Sequence, residues 1–239
     1  MLTAGEVTGE DIVLEVGPGK GALTEKLVAV AKKVIAVEKD DRLIEFLQDK
    51  FAGEIKVGKL EIIHDDILNL TPTLPLSNGR EQSYKLIANI PYYITGLFLR
   101  KFLEETDHQP ERIVVMVQKE IAQRIVASPQ AGQKESLLSI SVKAYGTPKM
   151  VMKVDRENFS PAPNVDSAIL LISDISKNFF IKNNISEKNF FEILHAGFAH
   201  KRKILSGNLK GIIAPEKLSL LPPNIRAEDL KLEDWIALN

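Results

Sequence analysis

The tetrapeptide Asn89-Ile90-Pro91-Tyr92 sets an amide, a rigid turn and an aromatic face in four consecutive residues. The amino lone pair of an aromatic base is delocalised into its ring, so attack by that nitrogen on a sulfonium methyl needs help. The side-chain oxygen of Asn89 and the backbone carbonyl of Ile90 can accept the two amine hydrogens and turn the lone pair towards an electrophile. Pro91 limits the backbone choices of the turn, and Tyr92 can stack on the base. A proline turn after a buried strand, with Tyr92 as a core aromatic, is the competing account of the same residues.

A second cluster lies upstream. Glu15-Val16-Gly17-Pro18-Gly19-Lys20-Gly21 places glycines at alternate positions, where missing side chains let a turn tighten and a ligand approach the backbone. The spacing is not GxGxxG, and no Lys-Ser/Thr follows as in a P-loop, which counts against a nicotinamide enzyme or an ATPase. Glu38 and Asp66 each follow a strand-like run. An acid in the first place can accept from ribose hydroxyls, and one in the second from an adenine amine. Taken alone, each reads first as a helix cap or a turn residue in solvent; together with the glycine turn they describe a nucleoside pocket.

These residues need a scaffold that gathers strand ends. Ile12–Val16, Val34–Val37, Leu60–Ile63, Tyr84–Ala88 and Ile113–Val117 are short β-rich apolar runs. Helical spacing occupies Ala22–Ala31, the stretch after Asp40 with Leu43, Ile44 and Leu47, and Leu97–Leu103, with Asp40 as a cap. Alternating strand and helix predicts a doubly wound α/β domain, whose ligand crevice lies outside the carboxyl ends of the parallel strands. Pro72–Ser83 is expected to be a surface loop. A late pair, Met150–Val154 and Ala168–Ile172, is expected as an antiparallel edge. Beyond about Ser173 the pattern turns helical, so two domains are expected, residues 1–175 and 176–239.

Composition narrows the classes further. The chain has 239 residues, 44% of them hydrophobic, enough for one α/β domain and a small lobe. It has no cysteine, which excludes disulfides, thiolate metal sites and a cysteine nucleophile, and the four histidines show no ligand spacing, so no metal is assigned. No apolar run of membrane-spanning length and no signal peptide is visible, so a cytoplasmic protein without a membrane partner, acting as a monomer, is expected. The net charge of -1 does not by itself suggest nucleic acid. Between Lys143 and Gly211, however, eleven Lys or Arg face six Asp or Glu, and Lys201, Arg202 and Lys203 are adjacent. That run is either a solvated face or a phosphate-binding patch.

With these motifs in order, the sequence resembles the ribosomal RNA adenine dimethyltransferase family. The likeness continues through Gln118-Lys119-Glu120, Arg124, Phe159-Ser160-Pro161-Ala162-Pro163-Asn164-Val165-Asp166-Ser167, Phe198-Ala199-His200-Lys201-Arg202-Lys203 and Asn208-Leu209-Lys210, covering about residues 8–211. The resemblance implies a Rossmann-like methyltransferase sheet with a small C-terminal helical domain for RNA recognition. It implies S-adenosylmethionine as methyl donor, with Glu15, Gly17 and Gly19 of the glycine turn, the strand-end acids Glu38 and Asp66, and Asn89 as its binding residues. Asn89, Pro91 and Tyr92 would then form the target-amine motif, with Phe159 clamping the flipped adenine opposite Tyr92; without the resemblance, Phe159 would be buried under its proline loop. The implied product is two adjacent N6,N6-dimethyladenosines near the 3′ end of small-subunit ribosomal RNA, made on an immature small subunit. A large-subunit adenine methyltransferase of the antibiotic-resistance type and a nonenzymatic assembly factor are the alternatives. Family members usually carry a Gln-aromatic-Leu signature before the first strand. Only eleven residues precede Ile12 here and none spells it, so a displaced start, an incomplete gene product or a shortened form with weakened turnover is expected.

Overall fold

The computed structural model describes residues 1–70, 83–106, 108–159, 163–219 and 221–239. The loop expected over Pro72–Ser83 lies outside the described residues except for Ser83, as do Ser160, Pro161 and Ala162 of the Phe159–Ser167 motif. In chain order the first elements are α1 (Leu2–Gly5), β1 (Ile12–Val16), α2 (Ala22–Val30), β2 (Lys33–Glu38), α3 (Asp41–Lys50), α4 (Ala52–Lys56) and β3 (Leu60–His64). They are followed by β4 (Tyr84–Asn89), α5 (Thr95–Leu103), β5 (Arg112–Gln118), α6 (Lys119–Val126), α7 (Leu137–Lys143), β6 (Thr147–Val154) and β7 (Ser167–Ser173). The remaining helices are α8 (Asn178–Asn183), α9 (Glu187–Phe198), α10 (Leu205–Leu209) and α11 (Pro215–Ser219).

The strands form one seven-stranded sheet in the order β3-β2-β1-β4-β5-β7-β6. β1 runs parallel to β2 and to β4, with Val16 opposite both Val37 and Ala88. The chain winds outward from β1 to β3, then returns to lay β4 on the other side of β1. That reversal opens a crevice at the carboxyl ends of β1 and β4, where a doubly wound sheet takes its ligands. All five residues of β1 are buried, as are five of the six in β4, and apart from Glu15, Lys85 and the terminal Asn89 both strands are apolar without alternation. Each fully buried Val, Leu or Ile contributes about 1.5–3 kcal/mol. The expected antiparallel edge is present: β7 pairs antiparallel with β5, and β6 lies outside it.

Local signals account for the helices. The Asp40 carboxylate accepts from the Arg42 N–H at 3.0 Å and caps α3 as expected. Ser136 and Ser139 form a reciprocal capping box at the start of α7. Among the described residues no helix is long and apolar enough to cross a membrane.

The chain divides into two compact units. One comprises residues 1–119 and 149–175, the other 120–148 and 176–239. This differs from a single cut at Ser176, because residues 120–148 join the C-terminal helices. Aromatic packing explains the exchange: the Tyr145 ring stacks on Phe191 at 5.9 Å, and its hydroxyl donates to Glu187 at 2.5 Å. The second unit is built on α9, which buries Phe190, Phe191, Ile193 and Leu194. Gly197 is the close-approach point, since a β-carbon there would meet the Trp235 ring at 2.5 Å.

Candidate functional site

The glycine turn is wedged between two strand ends. Gly17 has φ +73° and donates its N–H to the Val37 carbonyl at 3.0 Å, tying the turn to β2. On the other side a β-carbon at Gly17 would lie 2.7 Å from the carbonyl oxygen of Asn89, the last residue of β4. No side chain fits there without moving backbone. Gly19, at φ +58°, faces open space, leaving the crest of the turn accessible.

Glu38 ends β2 and holds this turn in place. Its Oε2 accepts from the Gly19 N–H at 3.1 Å, and its Oε1 accepts from Lys39 and Asp40 N–H groups at 2.8 and 2.9 Å. A carboxylate offers roughly four lone-pair directions. Three are taken, so this arrangement leaves room for one further donor, and accepting from both hydroxyls of a ribose would require Gly19 to let go. Asp66 follows β3 and accepts from Lys39 Nζ at 2.7 Å and from the Leu68 N–H at 3.0 Å. Those bonds, the Lys39 ammonium first, hold its carboxyl below the usual carboxylate range.

Glu15 differs from the other acids. It lies within β1, fully buried, and neither carboxyl oxygen meets a hydrogen-bond partner; the buried Thr24 hydroxyl at the start of α2 is likewise unpaired. Burial pushes the Glu15 carboxyl up to about 7; the nearby Thr24 hydroxyl opposes this without reaching hydrogen-bond geometry, and the Glu38 charge adds to it. Glu15 therefore sits beneath the turn, with no exposed surface.

A cavity of about 360 Å³ opens over these strand ends, within the range of small-molecule sites. Gly17, Glu38, Asp66, Ile67, Pro91 and Tyr93 are among the residues that line it. It thus unites one glycine, both strand-end acids and the proline of the amine motif. Acid at two rims, an open glycine crest and apolar walls suit a nucleoside carrying a cationic group, so the residues present fit the methyl donor that the motifs imply.

The amine motif adjoins this cavity. The Asn89 side chain is exposed, Ile90 is buried and Pro91 has φ −57°. Tyr92 is half-buried: its hydroxyl lies 2.6 Å from Ser167 Oγ and its carbonyl accepts from Thr95 Oγ1 at 2.9 Å. Phe159 is half-buried after the turn Arg156–Asn158, and among the described residues it shares no ring contact with another aromatic. Lys201, Arg202 and Lys203 are exposed just after α9, in the second unit, and none forms an ion pair among the described residues.

Several neighbours escaped the sequence. Lys39, the partner of Asp66, and Tyr93, which is 86% exposed on the cavity rim, both directly follow residues already singled out. Adjacency was the available signal. Ser167 closes the Phe159–Ser167 motif but gave no sign of its partner Tyr92, 75 positions away. Nor did Lys153, whose ammonium bridges Asp155 at 2.5 Å and Asp166 at 2.8 Å, at the neck of the segment bearing Phe159.

A family model described as ribosomal RNA adenine dimethylase matches residues 1–238. The Ribosomal RNA small subunit methyltransferase A of Dehalococcoides mccartyi (strain CBDB1) is 45% identical over 243 residues, covering 98% of this chain and 80% of that protein. The chain is also similar to the crystal structure of a dimethyladenosine transferase from Plasmodium falciparum, with TM-score 0.77 at 27% identity, covering 99% of this chain and 91% of that one. The 23S rRNA methyltransferase ErmE shares the fold, with TM-score 0.72 at 22% identity over 99% of this chain and 92% of its own.

Proposed function

From the premise that the chain belongs to the ribosomal RNA adenine dimethylase family, we infer that it dimethylates N6 of two adjacent adenosines near the 3′ end of small-subunit ribosomal RNA. Its sheet is the Rossmann-like core of S-adenosylmethionine-dependent methyltransferases, with an added helical C-terminal region. The observation that carries the inference is the close approach of Gly17 to the Asn89 carbonyl, which sets a donor turn directly against an amine-holding motif. The matched relative's name, with its small subunit, supports the choice of RNA.

When bound, S-adenosylmethionine supplies an electrophilic methyl group on sulfur. Glu38 would receive a ribose hydroxyl, Asp66 the purine amine and the Gly17–Gly19 crest the donor's chain, over the buried Glu15. Asn89 and Ile90 accept the hydrogens of the target amine so that its lone pair points at the methyl carbon. As the new N–C bond forms, the methyl–sulfur bond would break with its electron pair left on sulfur, so the donor leaves as the neutral thioether S-adenosylhomocysteine, and the surplus proton on nitrogen leaves to water. Tyr92 stacks on the flipped base, and Phe159 closes the other face. Lys201, Arg202 and Lys203 contact phosphates of an immature small subunit, the proposed partner.

Radiolabelled methyl transfer to immature small subunits, followed by nucleotide mapping, tests the assignment. Two adjacent dimethyladenosines near the 3′ end are expected; label only on naked large-subunit RNA would refute it. Asn89→Ala should lower the single-turnover rate by about a hundredfold or more while donor and RNA affinities hold, as for an interaction made mainly in the transition state.

A further inference from the structure

Tyr92 is held at both ends. Its carbonyl is fixed by the buried Thr95 hydroxyl, and its own hydroxyl meets Ser167 Oγ at 2.6 Å. Ser167 is fully buried at the first position of β7, opposite Gln118 of β5 in the antiparallel ladder. The residue before it is pinned three ways: the Asp166 carbonyl accepts from the Lys119 N–H at 3.0 Å, and its carboxylate takes Lys153 Nζ at 2.8 Å and the Arg156 N–H at 3.3 Å. The anchor point is therefore rigid, while the ring it holds is half open to solvent.

The geometry matters for an aromatic platform. The phenolic oxygen lies on the long axis of the ring, so a partner there fixes where that axis points. Phenolic donors and acceptors also lie close to the ring plane, so a short bond limits the tilt of the face. A buried tyrosine in a core would be oriented by packing on both faces. Tyr92 has packing on part of its surface only, and its hydroxyl bond supplies the missing constraint.

We propose that Ser167 is a positioning residue for methyl transfer: its hydroxyl presets the plane of Tyr92 so that the face offered to the target base needs no ordering when RNA arrives. This rests on Tyr92 being that face. A free side chain ordered on binding weakens association or productive alignment by roughly three- to tenfold, which is the scale of effect expected here.

The test is a cycle of Tyr92→Phe, Ser167→Ala and the double variant, read by single-turnover transfer to immature small subunits. Each single variant should lose about three- to tenfold, the double should lose no more than either single, and Ser167→Thr, which keeps a hydroxyl, should recover most of the rate. Donor affinity by calorimetry should be unchanged throughout. A second readout needs no turnover: with ¹³C-labelled tyrosine, assigned by single Tyr→Phe replacement among the four tyrosines, the Tyr92 ring signals should shift and broaden in Ser167→Ala. Multiplying losses, a parent-like rate in Ser167→Ala, or an unmoved Tyr92 signal would overturn the proposal. Tyr92→Ala separates it from the reading beneath: if that variant transfers at the parent rate, or the parent transfers none, the ring is not the base face and both fail. If Tyr92→Ala is impaired while Ser167→Ala is not, only the positioning role fails.

Discussion

Gly17 follows β1 and Asn89 ends β4, strands that are neighbours in the sheet though distant in sequence; a β-carbon on Gly17 would stand 2.7 Å from the Asn89 carbonyl oxygen. The turn expected to hold the donor and the motif expected to hold the acceptor amine thus meet backbone to backbone, and a disturbance of one is transmitted to the other.

Gly17→Ala should therefore damage both. The variant carries a β-carbon into backbone at a left-handed φ of +73°, with a cost of about 1–3 kcal/mol for the conformation alone. Urea unfolding should show that loss, and calorimetry should show donor affinity reduced by about tenfold or more. A parent-like affinity in a folded Gly17→Ala chain would detach the turn from the donor.

Glu15 gives stability a pH dependence of defined sign. Its folded value of about 7 exceeds the ordinary 4.5, so the unfolded chain releases this proton first as pH rises. The stabilisation is complete below about pH 4.5 and is lost as pH climbs to about 7, amounting to on the order of 3 kcal/mol at most. Unfolding free energies measured from pH 4.5 to 8 should fall more steeply for the parent than for Glu15→Gln, and run parallel above 7. Parallel profiles throughout would show that Glu15 is not the titrating group.

The Lys39–Asp66 pair occupies a carboxylate that the donor's purine amine would use. Lys39→Gln should tighten donor binding by about two- to fivefold at low salt, the scale of an exposed ion pair. Raising ionic strength should close the gap between parent and variant, because the parent's pair is screened. Weaker donor binding in Lys39→Gln would mean that the lysine holds the ligand rather than competing with it.

The basic triplet after α9 makes a separable prediction. Replacing Lys201, Arg202 and Lys203 together by Gln should weaken small-subunit binding and flatten its dependence on salt, by about one unit of log-log slope for each phosphate no longer neutralised. Donor affinity should stay at the parent value. An unaltered slope would leave the triplet as a solvated surface.

The sequence carried the centre of the sheet well because β1, β2 and β4 are buried on both faces. Ile12–Val16 is apolar except for Glu15, and such a run announces itself without alternation. Asp40 declared its helix by a local bond two residues long. The acids at strand ends were legible as a series, and the cavity gathers Gly17, Glu38 and Asp66 together. What stayed hidden was set by tertiary packing. Nothing near Glu15 in sequence says that its carboxyl is sealed without a partner, nothing near Tyr145 says that it stacks on Phe191, and the bond from Tyr92 to Ser167 spans too long a stretch of chain to leave a pattern.

The winding of the sheet also has a consequence for synthesis. β1 takes β2 as one neighbour soon after it is made, but its other neighbour, β4, begins only at Tyr84. At about 5–20 residues per second, the nascent chain carries the apolar edge of β1 unpaired for several seconds. Unpaired apolar edges template wrong partners. Arrested chains ending before Tyr84 should therefore be more aggregation-prone and protease-sensitive than chains long enough to expose Asn89, and codons that slow translation between β3 and β4 should lower the soluble yield.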